Sequence, residues 1–122
     1  MDDRERKAAG VLGEELALAH LQAHGLKLVT RNYRCKLGEI DLVMLDGATL
    51  VLTEVRYRSS QDYGGAAASV DWRKQRRLAN AAEHLLMKRA ELKRYPARFD
   101  VVAVTMDAAD ARIEWIKRAF TL

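Results

Sequence analysis

The chain contains a single cysteine, Cys35, and a single proline, Pro96, in 122 residues. One thiol excludes an internal disulfide and a cysteine-based zinc site. The lone proline falls just beyond a helical pattern and ends it. No apolar run reaches membrane-spanning length, and no long low-complexity tract interrupts the chain. The first residues, MDDRERK, are charged and lead into an Ala/Leu helix pattern. No signal peptide is read there, so a cytoplasmic protein with no membrane partner is expected. His20 and His24 share a helix face at i, i+4, as a zinc pair would, but no third ligand is in view. Charge and hydrogen bonding at a helix end suit them better.

What remains is ordinary for one globular domain, residues 1–122, with 49% hydrophobic content and one core. The net charge of +4 and a pI near 9.4 fit a nucleic-acid partner, although an excess of this size also occurs in proteins with none. Its distribution says more than its total.

The most informative stretch is Gly38 to Arg58, GEIDLVMLDGATLVLTEVRYR. From Gly38 to Leu45 a period of two sets Ile40, Leu42 and Met44 against Glu39, Asp41, Val43 and Leu45. Asp46-Gly47 is a turn pair, and in the return strand Leu50, Leu52, Glu54, Arg56 and Arg58 share a face. The register decides whether Asp41 meets Glu54. A two-residue loop of Asp46 and Gly47 leaves the two acids diagonal, roughly 7–8 Å apart between backbones. A four-residue loop sets them directly opposite, and a three-residue loop without a bulge sends them to opposite faces.

Two carboxylates converging on an apolar face lose hydration and repel each other unless a cation or a proton lies between them. Mg²⁺ suits such a pair, because it takes one or two carboxylates, keeps waters and accepts phosphate oxygens. A surface hairpin whose acids face water is the equally weighted alternative.

Around this hairpin, residues 4–24 read as a first helix with Leu12, Leu16 and Ala19 at helical spacing and Gly25 as its stop. Glu14 follows Gly13, where a bulky neighbour or ligand has room to approach; an ordinary solvated glutamate is the plain reading. Residues 26–34 alternate as a first strand, and Arg31-Asn32-Tyr33-Arg34-Cys35-Lys36 brings cations and an aromatic beside the hairpin, suited to a nucleic-acid backbone and a stacked base, or to a solvated turn. Residues 59–69, SSQDYGGAAAS, read as a mobile loop placed to close over a substrate.

A second helix starts near Ser69 or Asp71 and runs towards Arg94, burying Leu78, Ala82 and Leu85. Arg73, Lys74, Arg76 and Arg77 crowd its first turns against the helix dipole, a conflict that a phosphate would relieve. Trp72 and Tyr63 are available to stack on bases, although a tryptophan there more often anchors a core. Residues 97–105 and 111–116 form two further strands, and 117–122 a short closing segment. The expected class is α/β, a mixed sheet with one helix before it and one inserted in a right-handed parallel crossover.

With these residues in view, the chain resembles the YraN family, regarded as distant relatives of archaeal Holliday junction resolvases within the PD-(D/E)xK nuclease superfamily. The resemblance covers nearly the whole chain. It rests on Gly10-x-x-Gly13-Glu14 with Ala17, Leu21 and Gly25, Arg31-Asn32-Tyr33, and Gly38-Glu39-Ile40-Asp41-Leu42. Glu54-Val55-Arg56-Tyr57-Arg58, Tyr63-Gly64-Gly65, Lys74-Gln75 and Arg98-Phe99-Asp100-Val101-Val102 complete it.

The resemblance implies a restriction-endonuclease-like mixed sheet of about five strands in the order α-β-β-β-α-β-β. It implies that Asp41 and Glu54 hold Mg²⁺ or Mn²⁺, that Glu14 reaches the site, and that Lys74 or Gln75 approaches the phosphate. The wider expected nucleic-acid contacts are Arg31, Arg34, Arg58, Arg73, Lys74, Gln75 and Arg77. Two positions depart from the superfamily pattern: Ile40 stands for its proline, and Arg56 for the lysine of Glu-x-Lys. Arginine does not lose its proton near neutral pH, so Arg56 is excluded as general base but suits a bidentate grip on phosphate.

The expected function is a metal-dependent endonuclease acting on structured or branched DNA. A nuclease-like scaffold that binds nucleic acid without cutting is the alternative, and an interaction domain with no nucleic-acid partner a third reading. A homodimer would suit a symmetric four-way junction, but no dimer surface is legible.

Overall fold

Five strands lie side by side in the order in which the chain makes them. The computed structural model describes residues 2–59, 65, 69–107 and 110–121. Helix α1 (Asp3–Ala23) leads into β1 (Lys27–Cys35), β2 (Gly38–Asp46) and β3 (Thr49–Ser59); α2 (Trp72–Lys88) and a 3-10 turn (Ala90–Arg94) follow, then β4 (Ala97–Asp107) and β5 (Asp110–Phe120). All pairings are antiparallel except β3 with β4, which is parallel. This is the expected mixed α/β sheet with a helix inserted in the crossover. The Tyr63-Gly64 pair and most of the loop expected at 59–69 lie outside the described residues, as do 108–109 of the last turn.

Alternation along the strands separates two cores. Val43, Leu50, Leu52, Val101 and Ala103 pack with Leu78, Ala81, Ala82 and Leu85 of α2. Leu42, Met44, Val51, Val102 and Val104 pack with Ala17, Leu18 and Leu21 of α1. The sheet is thus covered by one helix on each face, which is what strands apolar on both sides require.

Three sequence expectations change in detail. The buried stripe of α1 is Gly13, Ala17, Leu18 and Leu21, while Leu12 is 46% exposed and Ala19 exposed. A ring explains the shift: an added Cβ at Gly13 would stand 3.2 Å from the Tyr57 ring of β3, so α1 docks through its glycine. The second helix ends at Lys88, because Arg89 leaves helical geometry at φ −127°, ψ 75° before the 3-10 turn. Residues 117–120 continue β5 instead of forming a separate closing segment.

Gly38 fixes the position of α2. A Cβ there would lie 1.8 Å from the Arg77 carbonyl oxygen, so only glycine lets the helix backbone sit this close to the start of β2. Asp71 caps α2 by accepting from the Lys74 N–H at 3.0 Å. The first turn carries no acidic residue.

Candidate active site

The β2–β3 ladder settles how Asp41 and Glu54 relate. Its pairs run from Asp46↔Thr49 through Leu45↔Leu50 to Leu42↔Thr53. The loop is therefore Gly47-Ala48, with Gly47 at φ 59°, and the register is that of the expectation in which the two acids are directly opposite. Asp41 and Glu54 stand one step past the last pair. There the ladder opens, and the Asp41 carboxylate accepts the Val55 N–H at 2.8 Å in place of a backbone carbonyl.

The opposite edge of β2 is irregular at the same level. Between Arg31↔Leu42 and Tyr33↔Ile40 no pair forms, and Asn32 adopts a left-handed φ of 53°. Asparagine tolerates this conformation better than most residues. Beyond Asp41 the alternation breaks as well. Ile40 joins the α2 side of the core, whereas continuation of the Leu42/Met44 face would have sent it to α1.

Glu14 arrives from α1, where Arg31 donates to its carboxylate from Nε at 3.1 Å and Nη2 at 2.9 Å, and Asn32 from Nδ2 at 2.9 Å. Arg31 also pairs with Glu15 at 2.6 Å. One guanidinium therefore serves two carboxylates and holds Glu14 in place. Its charge still reaches Asp41.

From the α2 side, Glu39, Glu54, Lys74 and Arg77 line a cavity of about 30 Å³. Arg56 donates from Nε to Ser69 Oγ at 3.2 Å and lowers the proton affinity of Glu54 through its charge. Lys74 acts electrostatically on both Asp41 and Glu54. A lysine thus stands beside the pair although β3 carries arginine at the third position of its Glu-x-Lys-like run.

Burial pushes the Asp41 carboxyl up to about 6, against the Val55 hydrogen bond and with help from Glu14 and Glu39. Burial, then repulsion from Asp41, pushes Glu54 up to about 8, with Lys74 and Arg56 opposing. The two acids do not readily carry two negative charges together at neutral pH. Among the described residues no three His, Cys, Asp or Glu side chains cluster to hold a metal ion. A cation here would take two carboxylates and fill its remaining positions with water or substrate oxygens, which is how Mg²⁺ binds.

The remaining expected contacts have varied surroundings. Arg34 pairs with Glu39 at 3.5 Å on the surface. Arg58 is half-buried on β3. Arg73 lies 5.8 Å over the Trp72 ring, and Trp72 is 67% exposed, so it is not a core anchor. Gln75 donates to the Val70 carbonyl at 3.0 Å. Tyr33 is bonded to His84 of α2 and packs against the core on that side, a structural use in place of a stacking one. The grip of Asn32 on Glu14 joins residues 18 apart in sequence and carries no local sequence signal. Among the described residues no helix is long and apolar enough to cross a membrane.

The model of the uncharacterised protein family UPF0102 matches residues 13–104, a span that contains Glu14, Asp41, Glu54, Arg56 and Lys74. The chain is 57% identical over 118 residues to a UPF0102 protein of Cupriavidus pinatubonensis, covering 95% of this chain and 87% of the relative. It is 51% identical over 114 residues to one of Methylococcus capsulatus, covering 93% and 91%. A UPF0102 protein of Alcanivorax borkumensis is 49% identical over 118 residues, covering 96% and 94%. With agreement along almost the full length of each of these proteins, the chain belongs to the UPF0102 family.

Proposed function

We propose that this protein is a Mg²⁺- or Mn²⁺-dependent endonuclease that cleaves phosphodiester bonds of structured or branched DNA. The observation that carries the reading is the convergence of Asp41 and Glu54 at the open end of the β2–β3 ladder, with Lys74 and Arg77 beside Glu54. Asp41 and Glu54 would hold the ion. When bound, it would offset the charge that develops on the phosphoryl oxygens and make a water more acidic.

The chain's own groups have separable roles. The Val55 N–H fixes the Asp41 carboxylate, and Glu14, anchored by Arg31 and Asn32, adds negative potential from the α1 side. Arg56 offers a permanent positive charge to the phosphate, held towards the start of α2 by Ser69. Lys74 and Arg77 bring two further cations to the Glu54 side, where a DNA backbone would dock.

Purified protein incubated with labelled branched and linear DNAs, with and without Mn²⁺, tests this. Cleavage should require the ion and vanish in Asp41→Asn and Glu54→Gln while DNA affinity stays within about threefold, since the carboxylates do not hold the backbone. Equal cleavage by those variants refutes the assignment.

Arg56 favours a second reading, a nuclease-like scaffold that binds nucleic acid without cutting. Mn²⁺ titration separates the two: a working site raises the melting temperature by ligand linkage, and an abandoned one does not.

A further inference from the structure

Away from the acidic pair, a cavity of about 430 Å³ opens where β3 and β4 begin and β5 ends, lined among others by Thr49, Pro96, Arg98, Phe99, Arg118 and Phe120. Thr49 lies five residues before Glu54 on β3, roughly 17 Å along an extended strand, so the cavity is separate from the candidate active site. Its volume is that of a small-molecule site.

Its walls combine flat apolar surface with cations. The Phe99 and Phe120 rings stack at 5.2 Å between centroids and 20° between planes. Arg98 is fixed by Asp100 at 3.0 and 3.2 Å and by Asp46 at 2.9 Å, so its charge is matched by carboxylates. Arg118 differs. Among the described residues its guanidinium has no ion-pair partner, and its backbone adopts a left-handed φ of 52°.

That backbone is imposed by the fold. Phe99 pairs with Phe120 and Val101 with Ile116, so Lys117, Arg118 and Ala119 all bulge opposite Asp100. Fully buried Asp100 accepts the Arg118 N–H at 3.0 Å and holds the bulge. Bulges re-aim side chains, and a strained non-glycine residue persists only where its surroundings over-determine it. Packing alone explains the Arg98–Asp100 pair. The bulge that supplies a donor to Asp100 also brings Arg118, a cation without an ion-pair partner among the described residues, to the rim of a ring-lined cavity.

We propose that this cavity is a second binding site, for a small anion that carries a flat ring, its charge on Arg118 and its ring against the Phe99/Phe120 wall. A nucleoside monophosphate and an aromatic carboxylate share this chemistry.

Calorimetric titration with adenosine monophosphate and with benzoate tests it, against inorganic phosphate and adenosine as halves of the ligand. A ring-bearing anion should bind saturably and at least about tenfold more tightly than phosphate or adenosine alone. The tighter of the two ring-bearing probes assigns the source. Trp115 donates to Asp100 at 2.9 Å, so its emission in a Trp72→Phe background should follow the titration. Arg118→Gly keeps the left-handed backbone without strain, so it should lose about tenfold or more in affinity with no fall in melting temperature, and Arg118→Lys should recover part of the loss. Asp41→Asn should leave the titration unchanged. The proposal is overturned by no saturable binding of either ring-bearing anion up to about 10 mM, by phosphate alone binding as well, or by an unaltered titration in Arg118→Gly.

Discussion

Asp100 and Glu54 stand one step apart on neighbouring strands, since Asp100 is the register partner of Thr53, yet they meet opposite surroundings. Asp100 is fully buried and accepts from Arg98, from the Trp115 indole and from the Arg118 backbone. Glu54 is half-buried, and among the described residues no donor bonds its carboxylate. It faces a second acid instead. A carboxylate placed for architecture is surrounded by donors, whereas a pair left short of them holds electrostatic free energy that a cation can relieve. The difference is the physical ground on which the second group is proposed as the functional one.

Removing the satisfied acid should do the most damage. Asp100→Ala leaves Arg98, whose side chain is 12% exposed, with Asp46 alone and takes the acceptor from the Trp115 indole and the Arg118 N–H, and urea unfolding should show a loss of about 3–5 kcal/mol. Removing the unsatisfied acid should do the reverse. Glu54 keeps its proton to about pH 8 in the folded chain but releases it near 4.5 when unfolded, so the folded state binds more protons across that window. Stability in metal-free buffer should therefore fall as pH rises from 4.5 through 8, and Glu54→Gln should flatten that slope. At pH 9 the variant should be the more stable by on the order of 3 kcal/mol.

Two smaller changes sharpen the contrast. Gly38→Ala sets a methyl against the Arg77 carbonyl and pushes α2, with Lys74 and Arg77, off the acidic pair. We expect a loss of about 1–3 kcal/mol and a steeper fall in stability with pH, measured by the same denaturation series. Thr53, the register partner of Asp100, buries its Oγ1 with no hydrogen-bond partner among the described residues. Thr53→Val should raise stability by up to about 1 kcal/mol, visible as a higher urea midpoint.

The acidic pair was legible because a period of two and a short loop confine two residues thirteen apart to very few registers. The α2 core was legible for a similar reason, since Leu78, Ala82 and Leu85 follow one helical stripe. Leu12 misled because the docking point of α1 is a glycine, and a missing side chain leaves no apolar signal. The pairing of Arg31, expected as a nucleic-acid contact, with Glu14 and Glu15 was not legible because these acceptors belong to another element. The Asp100 cluster joins residues from β4 and β5, and the bulge that completes it has no local turn signature. Sequence spacing carries hairpins and stripes, and it does not carry partners chosen by tertiary packing.

The close fit of Gly38 against Arg77 has a kinetic side. The acidic half of the site is built from one hairpin, a local structure that closes within about 1–10 μs in isolated form. The basic half waits for the parallel crossover, a long loop closure that comes late in folding. Any sub-global opening that lifts α2 from the sheet therefore strips Lys74 and Arg77 away while leaving Asp41 and Glu54 face to face. Amide hydrogens of α2 should exchange sooner than those of the β2–β3 hairpin, and the order of their release traces how the site comes apart.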